Sequence, residues 1–260
     1  MERGASPAGQ YKGKKCLTRL CEKYGSKPGY QLDENLTLTD EWDEVKAHLK
    51  RPPKGDAKAW SQIMRKDDMV NLFIDLDDRL PSLEEAKAKT DEMVEWAKTE
   101  LPLLLGKTAA WAEANIAIST MPGQDPKDPA QFKASAHVCV NNTVLEWCST
   151  ARYLEQKGIL AAAPPSAQKP GETVIDTGLY QASRALRLLG NGKPGDEGRW
   201  KRAVTCDNPS ERRKHLPNWL DGAEEELELE EMMKEKKEKK EKKAEVRKLA
   251  FEDKEFMPTR

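Results

Sequence analysis

The sequence predicts an α+β fold for the central part of a chain of 260 residues. Two observations indicate strands: an apolar run at residues 71 to 74 leads into Asp75 and Asp77, and residues 133 to 140 alternate between polar and apolar types. A third indicates a helix, since Ser82 is followed three residues later by a glutamate in the capping-box pattern. With 37% hydrophobic and 34% charged residues, one core domain with polar appendages fits best.

Three regions differ in composition. Residues 1 to 35 are rich in Gly, Lys and Pro and are predicted to form a loosely ordered basic lead-in. Residues 36 to 220 carry the helix and strand patterns and form the predicted folded domain. Residues 221 to 260 change from acidic to lysine-rich, with glutamates four residues before lysines, and predict a charged helical or disordered tail. A tether for nucleic acid or a partner is the alternative interpretation of this tail.

Charge and cysteine content exclude several classes of protein. The formal net charge of −1 provides no global basic field, so nucleic-acid binding would depend on local patches. Five cysteines without a Cys-x-x-Cys pair argue against a disulfide scaffold and against a zinc site. No run of eighteen apolar residues and no apolar signal core are present, so we expect a soluble, intracellular protein with no membrane partner. Nucleus, mitochondrion and viral replication site are not distinguished.

The first predicted elements are bounded by prolines and caps. A short helix at residues 40 to 49 precedes a Pro-Pro break, and the strand carrying Asp75 follows. The helix opened by Ser82 has an apolar stripe made of Leu83, Ala86, Val94, Ala97 and Leu101. Residues 116 to 119 predict a short strand, and residues 121 to 131, rich in Gly, Pro and Asp, predict a loop.

The second half continues this alternation. The strand at residues 133 to 140 has two different faces: Ala136, Val138 and Val140 on one, and Ser135, His137 and Cys139 on the other. A second capping box, Thr143 with Glu146, predicts a helix that ends at Gly158. A Pro/Ala-rich connector at residues 161 to 171 leads to a predicted strand at residues 173 to 176, and the periodicity of residues 179 to 189 predicts an amphipathic helix.

Asp75 and Asp77 are the first candidate functional residues. On a strand, residues two apart point the same way, so these two carboxylates converge on one spot. Such a pair is usually neutralised by a cation, by basic side chains or by solvent. Mg²⁺ or Mn²⁺ suits it, because hard divalent ions prefer carboxylate oxygens and retain positions for phosphates. A solvated turn is the plainer interpretation of Asp-x-Asp at a strand end.

Asp176, at the end of the predicted strand at residues 173 to 176, is a candidate third acid. If the three strands share a sheet, it lies beside Asp75 and Asp77, with Ser135 and His137 on a neighbouring strand. Arg184, Arg187 and Lys193 follow it in the chain. Three acids with cations and a hydroxyl suit two-metal nucleotidyl transfer, in which basic side chains hold a triphosphate. An ordinary solvated helix face is the alternative for the three cations.

Three blocks of the sequence, taken in order, resemble the archaeo-eukaryotic primase superfamily, and within it the eukaryotic primase-polymerases and the primases of large DNA viruses, including herpesvirus-like ones. The blocks are a hydrophobic-Asp-x-Asp strand ending at Asp77, a Lys-x-Ser-x-His strand from Lys133 to His137, and a long block from Asp176 to Lys193. The third reads Asp-x-x-Leu-Tyr-x-x-x-Arg-x-x-Arg-Leu-x-x-x-x-Lys, with leucine where the family usually has valine. The resemblance covers roughly residues 70 to 195.

The resemblance implies a role for each matching residue. Asp75, Asp77 and Asp176 would be the catalytic metal ligands of a two-metal Mg²⁺ or Mn²⁺ site. The triphosphate of the incoming nucleotide would be contacted by Lys133, Ser135, His137, Arg187 and Lys193, while Arg184 would support the site or contact template. Residues 36 to 220 would form the catalytic domain, with a sheet of RNA-recognition-motif type and an additional α/β module. The family also implies a short turn and then a strand where periodicity predicts the helix at residues 179 to 189.

The implied activity is template-directed nucleotidyl transfer by a DNA primase or DNA-directed polymerase, in DNA replication or damage tolerance. A DNA template and nucleoside triphosphates would be its partners, and a single-strand-binding protein or a helicase is a candidate further partner. No Cys/His cluster follows Lys193 to build the zinc module that often starts chains in this family, so initiation is in doubt. Two alternatives remain: a catalytically inactive primase-like scaffold that binds nucleic acid, and a metal-dependent glycosyltransferase that uses Asp-x-Asp.

Overall fold

The computed structural model describes residues 17–19, 38–39, 60–66, 68–125, 128–181, 184–190, 200–208 and 210–217. The chain divides into two compact units, Met1–Glu224 and Glu225–Arg260, and the described residues all belong to the first. The predicted helix at residues 40 to 49, Lys193 and the predicted charged tail lie outside the described residues. So does the predicted basic lead-in, apart from residues 17 to 19.

The described part is an α+β fold, as the sequence predicts, and it contains nine strands, four α-helices and three short 3₁₀ turns. The strands are β1 (Leu17–Arg19), β2 (Leu38–Thr39), β3 (Trp60–Met64), β4 (Met69–Leu80), β5 (Ile116–Thr120), β6 (Gly123–Asp125), β7 (Asp128–Glu146), β8 (Arg184–Arg187) and β9 (Arg202–Ala203). The helices are α1 (Leu83–Leu104), α2 (Ala109–Asn115), α3 (Thr150–Gln156) and α4 (Ile159–Ala162). The 3₁₀ turns are Trp147–Ser149, Thr177–Gln181 and Arg212–His215.

The larger sheet has the strand order β4-β7-β5-β9, with β6 also pairing with β7, and each of these pairings is antiparallel. Its even-numbered residues on β4 and β7 form an apolar face, because alternate side chains of a strand point the same way. Helix α1 packs across β4, β5 and β7. Buried helix side chains Ala86, Met93, Val94, Ala97 and Leu101 cover the sheet. The opposite, odd-numbered face carries the polar candidates.

Helix α1 begins where the sequence predicts. The Ser82 hydroxyl accepts a hydrogen bond from the Glu85 amide at 3.1 Å and donates one to the Glu85 carboxylate at 3.1 Å, so Ser82 caps the helix and is joined to Glu85 as the capping pattern predicts. The predicted apolar stripe is wrong at one position, since Leu83 is 39% exposed. Leu83 lies in the first turn, where the helix has only just begun to cross the sheet.

The predicted helix start at Thr143 is wrong, because β7 continues to Glu146 and pairs with the beginning of β4. A register shift opposite Asn71 and Leu72 allows this, and Asn142 adopts a positive φ of 61° there. Asparagine side chains satisfy the irregular backbone: Oδ1 of the Asn71 side chain accepts from the Asn142 backbone amide at 3.1 Å. The helix begins only at Thr150, after a 3₁₀ turn. Long-range strand pairing has therefore overridden the local capping pattern.

The predicted loop at residues 121 to 131 is also only partly a loop. It contains β6 and the beginning of β7, which pair with each other. Gly, Pro and Asp residues indicate turns locally, but they do not exclude a short edge strand when a longer strand is available to pair with it.

The edge of β4 that faces away from β7 is covered by residues 173 to 176, which the sequence predicts as a strand. They form isolated bridges: Ile175 pairs with Leu76 and Thr173 with Pro165. The amide of Asp77 donates to the Val174 carbonyl at 2.8 Å, and the amide of Asp176 donates to the Asp75 carbonyl at 2.9 Å. These two bonds align Asp176 with the aspartate pair.

The second sheet has the order β2-β1-β3-β8, again antiparallel. Residues 179 to 189 do not form the helix that their periodicity predicts. Instead, the 3₁₀ turn Thr177–Gln181 is followed by β8, which pairs with β3. This is the turn-then-strand arrangement that the family resemblance implies. Within the described residues, no helix is both long and apolar enough to cross a membrane.

Candidate metal centre

Asp75, Asp77 and Asp176 converge on one point. Each offers a carboxylate oxygen, and these three oxygens lie within 4.8 Å of one another. Asp75 is buried, Asp77 is half-buried and Asp176 is exposed. The cluster is therefore anchored in the sheet on one side and open to solvent on the other, as a site for an exchangeable ion requires.

Ser135 and His137 lie directly across the β4–β7 pairing from the aspartates. Ser135 is opposite Asp77, and His137 is opposite Asp75. Directly opposed residues of an antiparallel pair share a face of the sheet. The Nε2 atom of His137 is 3.3 Å from Oδ1 of Asp75. The strand alternation predicted from sequence thus brings four of the candidate residues together on the odd-numbered face.

Lys133 completes the β7 part of the cluster. It pairs with Arg79 in register, which places it diagonally next to Asp77, and its ammonium group forms an ion pair with the Asp77 carboxylate. Asp77 nevertheless has a pKa raised above the ordinary value, chiefly because it is buried and secondly because Asp75 is close. Lys133 and His137 act in the opposite direction. The aspartate pair therefore favours additional positive charge.

His137 is held in its neutral form. Burial lowers its pKa well below the ordinary value, and the nearby Lys201, Arg187 and Lys133 contribute in the same direction against the effect of Asp77. Its ring packs edge-on against Phe73, with 5.2 Å between ring centroids. A neutral imidazole can donate one hydrogen bond to an anionic ligand without adding charge.

The two arginines of β8 have different surroundings. Arg187 is near enough to His137 to contribute to the lowering of its pKa. Arg184 donates a hydrogen bond to the Gly178 carbonyl at 3.4 Å, within the turn that follows Asp176. Residues three apart on a strand point to opposite faces. The structure therefore brings Arg187 to the cluster and gives Arg184 a supporting contact, while Lys193 lies outside the described residues.

Lys201 is a site residue that sequence reasoning missed. The residue is 3% exposed, and its ammonium group donates to the Arg187 carbonyl at 3.0 Å. Its own carbonyl accepts from the Gly190 amide at 2.8 Å. Burial and the neighbouring Arg187 lower the pKa of Lys201 to about 7. The only sequence signal was a lysine next to the apolar Trp200.

Ser119 and Tyr180 were also not predicted as site residues. Ser119 lies opposite His137 on β5, and its hydroxyl is buried with no hydrogen-bond partner among the described residues. Tyr180 donates from its hydroxyl to the Phe73 carbonyl at 2.8 Å and packs against Trp147, with 5.1 Å between ring centroids. This bond fastens the turn after Asp176 to β4, so Asp176 is held from its C-terminal side as well.

The donor set fits a hard divalent ion. All three ligand atoms are carboxylate oxygens, which Mg²⁺ and Mn²⁺ prefer. One of these carboxylates has a buried oxygen that accepts no hydrogen bond: Oδ1 of Asp77 has no hydrogen-bond partner in the described part of the chain. An unpaired buried carboxylate oxygen is costly, and a bound cation would satisfy it. Asp75, Asp77 and Asp176 are therefore the residues that could hold a metal.

The geometry of this centre is the basis on which a function has to be assigned. No protein-family model matches the chain, and no curated protein matches it either.

Proposed function

We propose that this chain is a metal-dependent nucleotidyltransferase that extends a nucleic-acid strand on a template, of the primase-polymerase type. The observation that carries the proposal is the convergence of Asp75, Asp77 and Asp176 within 4.8 Å, on a sheet face that also presents Ser135 and His137. The three sequence blocks that resemble the archaeo-eukaryotic primase superfamily supply these five residues. Convergence in space of blocks that are far apart in sequence supports the resemblance.

Charge balance indicates what such a centre would bind. The three carboxylates lie near basic side chains, because Lys133 pairs with Asp77 and both Arg187 and Lys201 lower the pKa of His137. Adding a divalent ion alone, or a triphosphate alone, would leave excess charge in a partly buried place, which is unfavourable. Two divalent ions and a triphosphate with four negative charges bring no net charge. Metal and nucleotide are therefore expected to bind together.

Each group has a role in this proposal. The metal ions would activate the attacking hydroxyl and stabilise the pyrophosphate that leaves, and the three aspartates would hold them. Arg187 and Lys133 would bind phosphate oxygens through charge-assisted hydrogen bonds. Neutral His137 and Ser135 would donate uncharged hydrogen bonds that orient the triphosphate. Burial of Asp75 and His137 in the sheet keeps this constellation rigid.

The position of β8 gives additional support. The hydrophobic periodicity of residues 179 to 189 predicts a helix, but the chain forms a 3₁₀ turn and then a strand there. This is the local arrangement that the resemblance implies for its Arg-x-x-Arg-Leu block, and it leaves Arg187 near enough to His137 to influence its pKa. In a metal-dependent glycosyltransferase, neither this block nor the Lys-x-Ser-x-His strand would have an obvious function.

The test is incorporation of nucleotides on a DNA template, with and without a primer, using ribo- or deoxynucleoside triphosphates and Mg²⁺ or Mn²⁺. We expect activity in the wild type and its loss in Asp75→Asn, which retains the shape of the ligand but removes its charge. Asp68→Asn is the matched control, because Asp68 precedes β4 and accepts a hydrogen bond from the Arg65 amide at 2.8 Å. Incorporation that Asp75→Asn leaves unchanged would contradict the proposal. Nucleotide binding without any turnover in the wild type would favour the inactive scaffold instead.

A further inference from the structure

Asp78 has no assigned role, although it follows the proposed ligand Asp77 directly. It pairs in register with Ala134, and alternation along β4 turns its side chain to the face opposite Asp77. It is 4% exposed. A carboxylate buried to this extent is costly unless hydrogen bonds compensate for the lost water. The bonds that it makes show what it holds in place.

The Asp78 carboxylate accepts three hydrogen bonds. One oxygen accepts from the Ser166 hydroxyl at 2.9 Å and from the Arg79 amide at 2.9 Å. The other oxygen accepts from the Ala167 amide at 2.6 Å. Two of the three donors belong to the connector that the sequence shows only as rich in proline and alanine. Hydrogen bonds to a charged acceptor are roughly twice as strong as neutral ones.

The connector is folded back on itself beyond this anchor. The Ser166 amide donates to the Glu172 carbonyl at 2.9 Å, and the Val174 amide donates to the Pro164 carbonyl at 3.0 Å. Pro165 and Thr173 form an isolated bridge. Residues 164 to 167, which Asp78 holds, are therefore bonded to residues 172 to 174, which lead into the third ligand, Asp176.

Residues 173 to 176 are held against β4 by a small number of bonds. One isolated bridge, between Ile175 and Leu76, and the backbone bonds of Val174 and Asp176 described above connect them to β4, and the Tyr180 hydroxyl holds the turn that follows Asp176. Asp77 and Asp78 are neighbours on one rigid strand, so the anchor of the connector and the metal-facing carboxylate keep a fixed distance. A strand that holds two ligands thereby also sets the position of the third.

We propose that Asp78 is a positioning residue for the metal centre, which fixes the connector at Ser166 and Ala167 so that Asp176 meets Asp75 and Asp77. This inference rests on the proposed function, because it assigns Asp176 to a metal. Partners that orient ligands in this way typically change metal affinity by about 10- to 100-fold when they are removed.

The experiment compares the full chain with Asp78→Asn and Ser166→Ala. Asparagine has one acceptor oxygen instead of two, so its amide donor must face either the Ala167 amide or the Arg79 amide, and one of these two bonds is lost. Ser166→Ala keeps the carboxylate but removes its hydroxyl donor, together with the acceptor for the Gln168 and Lys169 amides. We measure Mn²⁺ affinity by electron paramagnetic resonance and amide hydrogen exchange of peptides that cover residues 164 to 180. In Asp78→Asn we expect about 10-fold weaker Mn²⁺ binding and faster exchange in those peptides, and in Ser166→Ala a smaller change of the same sign. Asp68→Asn, an Asp-to-Asn change at the other end of β4, should match the wild type.

Unchanged Mn²⁺ affinity in both folded variants would overturn the inference. If Asp78→Asn does not fold, Ser166→Ala decides the question by its Mn²⁺ affinity, because the lost bonds from the Gln168 and Lys169 amides change hydrogen exchange in that variant in any case. A wild type that binds no Mn²⁺ would overturn the proposed function, and with it the metal role of Asp78. In that case, faster exchange at residues 164 to 180 in the variant would show that Asp78 holds the connector and that only the metal assignment has failed.

Discussion

Replacing Lys201 with methionine should make the protein more stable at pH 7 and a poorer nucleotide binder. The ordinary pKa of 10.5 is lowered to about 7 in the folded protein. Since one pKa unit corresponds to about 1.4 kcal/mol, burying this charge costs about 4 kcal/mol at pH 7. Methionine has a similar volume and no charge. The Arg187 carbonyl loses its donor, however, which costs about 1–3 kcal/mol. The expected net gain in unfolding free energy is about 1–3 kcal/mol.

The stability difference between Lys201→Met and the wild type should depend on pH. Between pH 7 and 10.5 the unfolded wild type binds a proton at Lys201 that the folded protein does not, so wild-type stability rises with pH in this window. The variant lacks this gain. Its advantage should therefore be largest at or below pH 7 and should shrink by up to about 1.4 kcal/mol per pH unit as the pH rises.

Urea unfolding followed by tryptophan fluorescence from pH 7 to pH 10 measures this difference. The exposed neighbour Arg202 provides the control, because Arg202→Met removes one positive charge nearby and should change stability by no more than about 0.5 kcal/mol. The reasoning is refuted if Lys201→Met is less stable than the wild type at pH 7, or if the difference between them is the same at every pH.

Three further substitutions test other parts of the account. Burial lowers the pKa of His215 to about 3, and the ring can only donate to the Thr205 carbonyl at 2.9 Å. The stability that the neutral form of His215 contributes is present above pH 6.5 and is lost as the pH falls towards 3. In urea titrations the unfolding free energy should therefore fall by up to about 1.4 kcal/mol per pH unit in this window. His215→Gln should make the unfolding free energy less dependent on pH there. Tyr180→Phe removes the hydrogen bond to the Phe73 carbonyl. It should lower the unfolding free energy by about 1–3 kcal/mol and raise the Mn²⁺ concentration needed for activity. If neither quantity changes, the turn after Asp176 does not need this hydrogen bond. Ser82→Ala should lower the thermal midpoint through about 1 kcal/mol of lost helix capping but leave Mn²⁺ affinity unchanged, and a change in that affinity would contradict the separation of the two faces of the sheet.

Part of this centre can be predicted from sequence because it follows from the period of a strand. Asp75 and Asp77 are two residues apart, and so are Ser135 and His137, so each pair shares a face once its segment is extended. The helix cap at Ser82 is equally local, and its bond from the Glu85 amide is formed as predicted. These features need no knowledge of the rest of the chain.

Other features depend on contacts between segments that are distant in sequence, and local sequence patterns cannot predict them. The capping pattern at Thr143 predicts a helix, but pairing of β7 with the start of β4 gives more hydrogen bonds and keeps the chain extended. The burial of Lys201 depends on the pairing of its carbonyl with the Gly190 amide. The anchor between Asp78 and Ser166 joins residues 88 apart. Sequence periodicity carries no information on such partners.

The same distinction applies to the third acid. Its position at the end of an apolar segment indicates only a turn or a strand end, and the expectation that Asp176 joins the pair requires that the two strands be neighbours. Two backbone bonds to Asp75 and Asp77 provide this adjacency. The central claim of the account is therefore a joint site, made by three carboxylates and completed by a nucleotide.

The measurement that tests this claim most directly is Mn²⁺ binding with and without a non-hydrolysable nucleoside triphosphate, in the wild type and in Asp176→Asn. A unit charge about 3 Å from a divalent ion is worth about 3 kcal/mol even at the dielectric constant of water. We therefore expect Asp176→Asn to weaken Mn²⁺ binding by about 100-fold, and the triphosphate to tighten it in the wild type. Mn²⁺ binding that ignores both the triphosphate and the loss of the Asp176 charge would contradict the account.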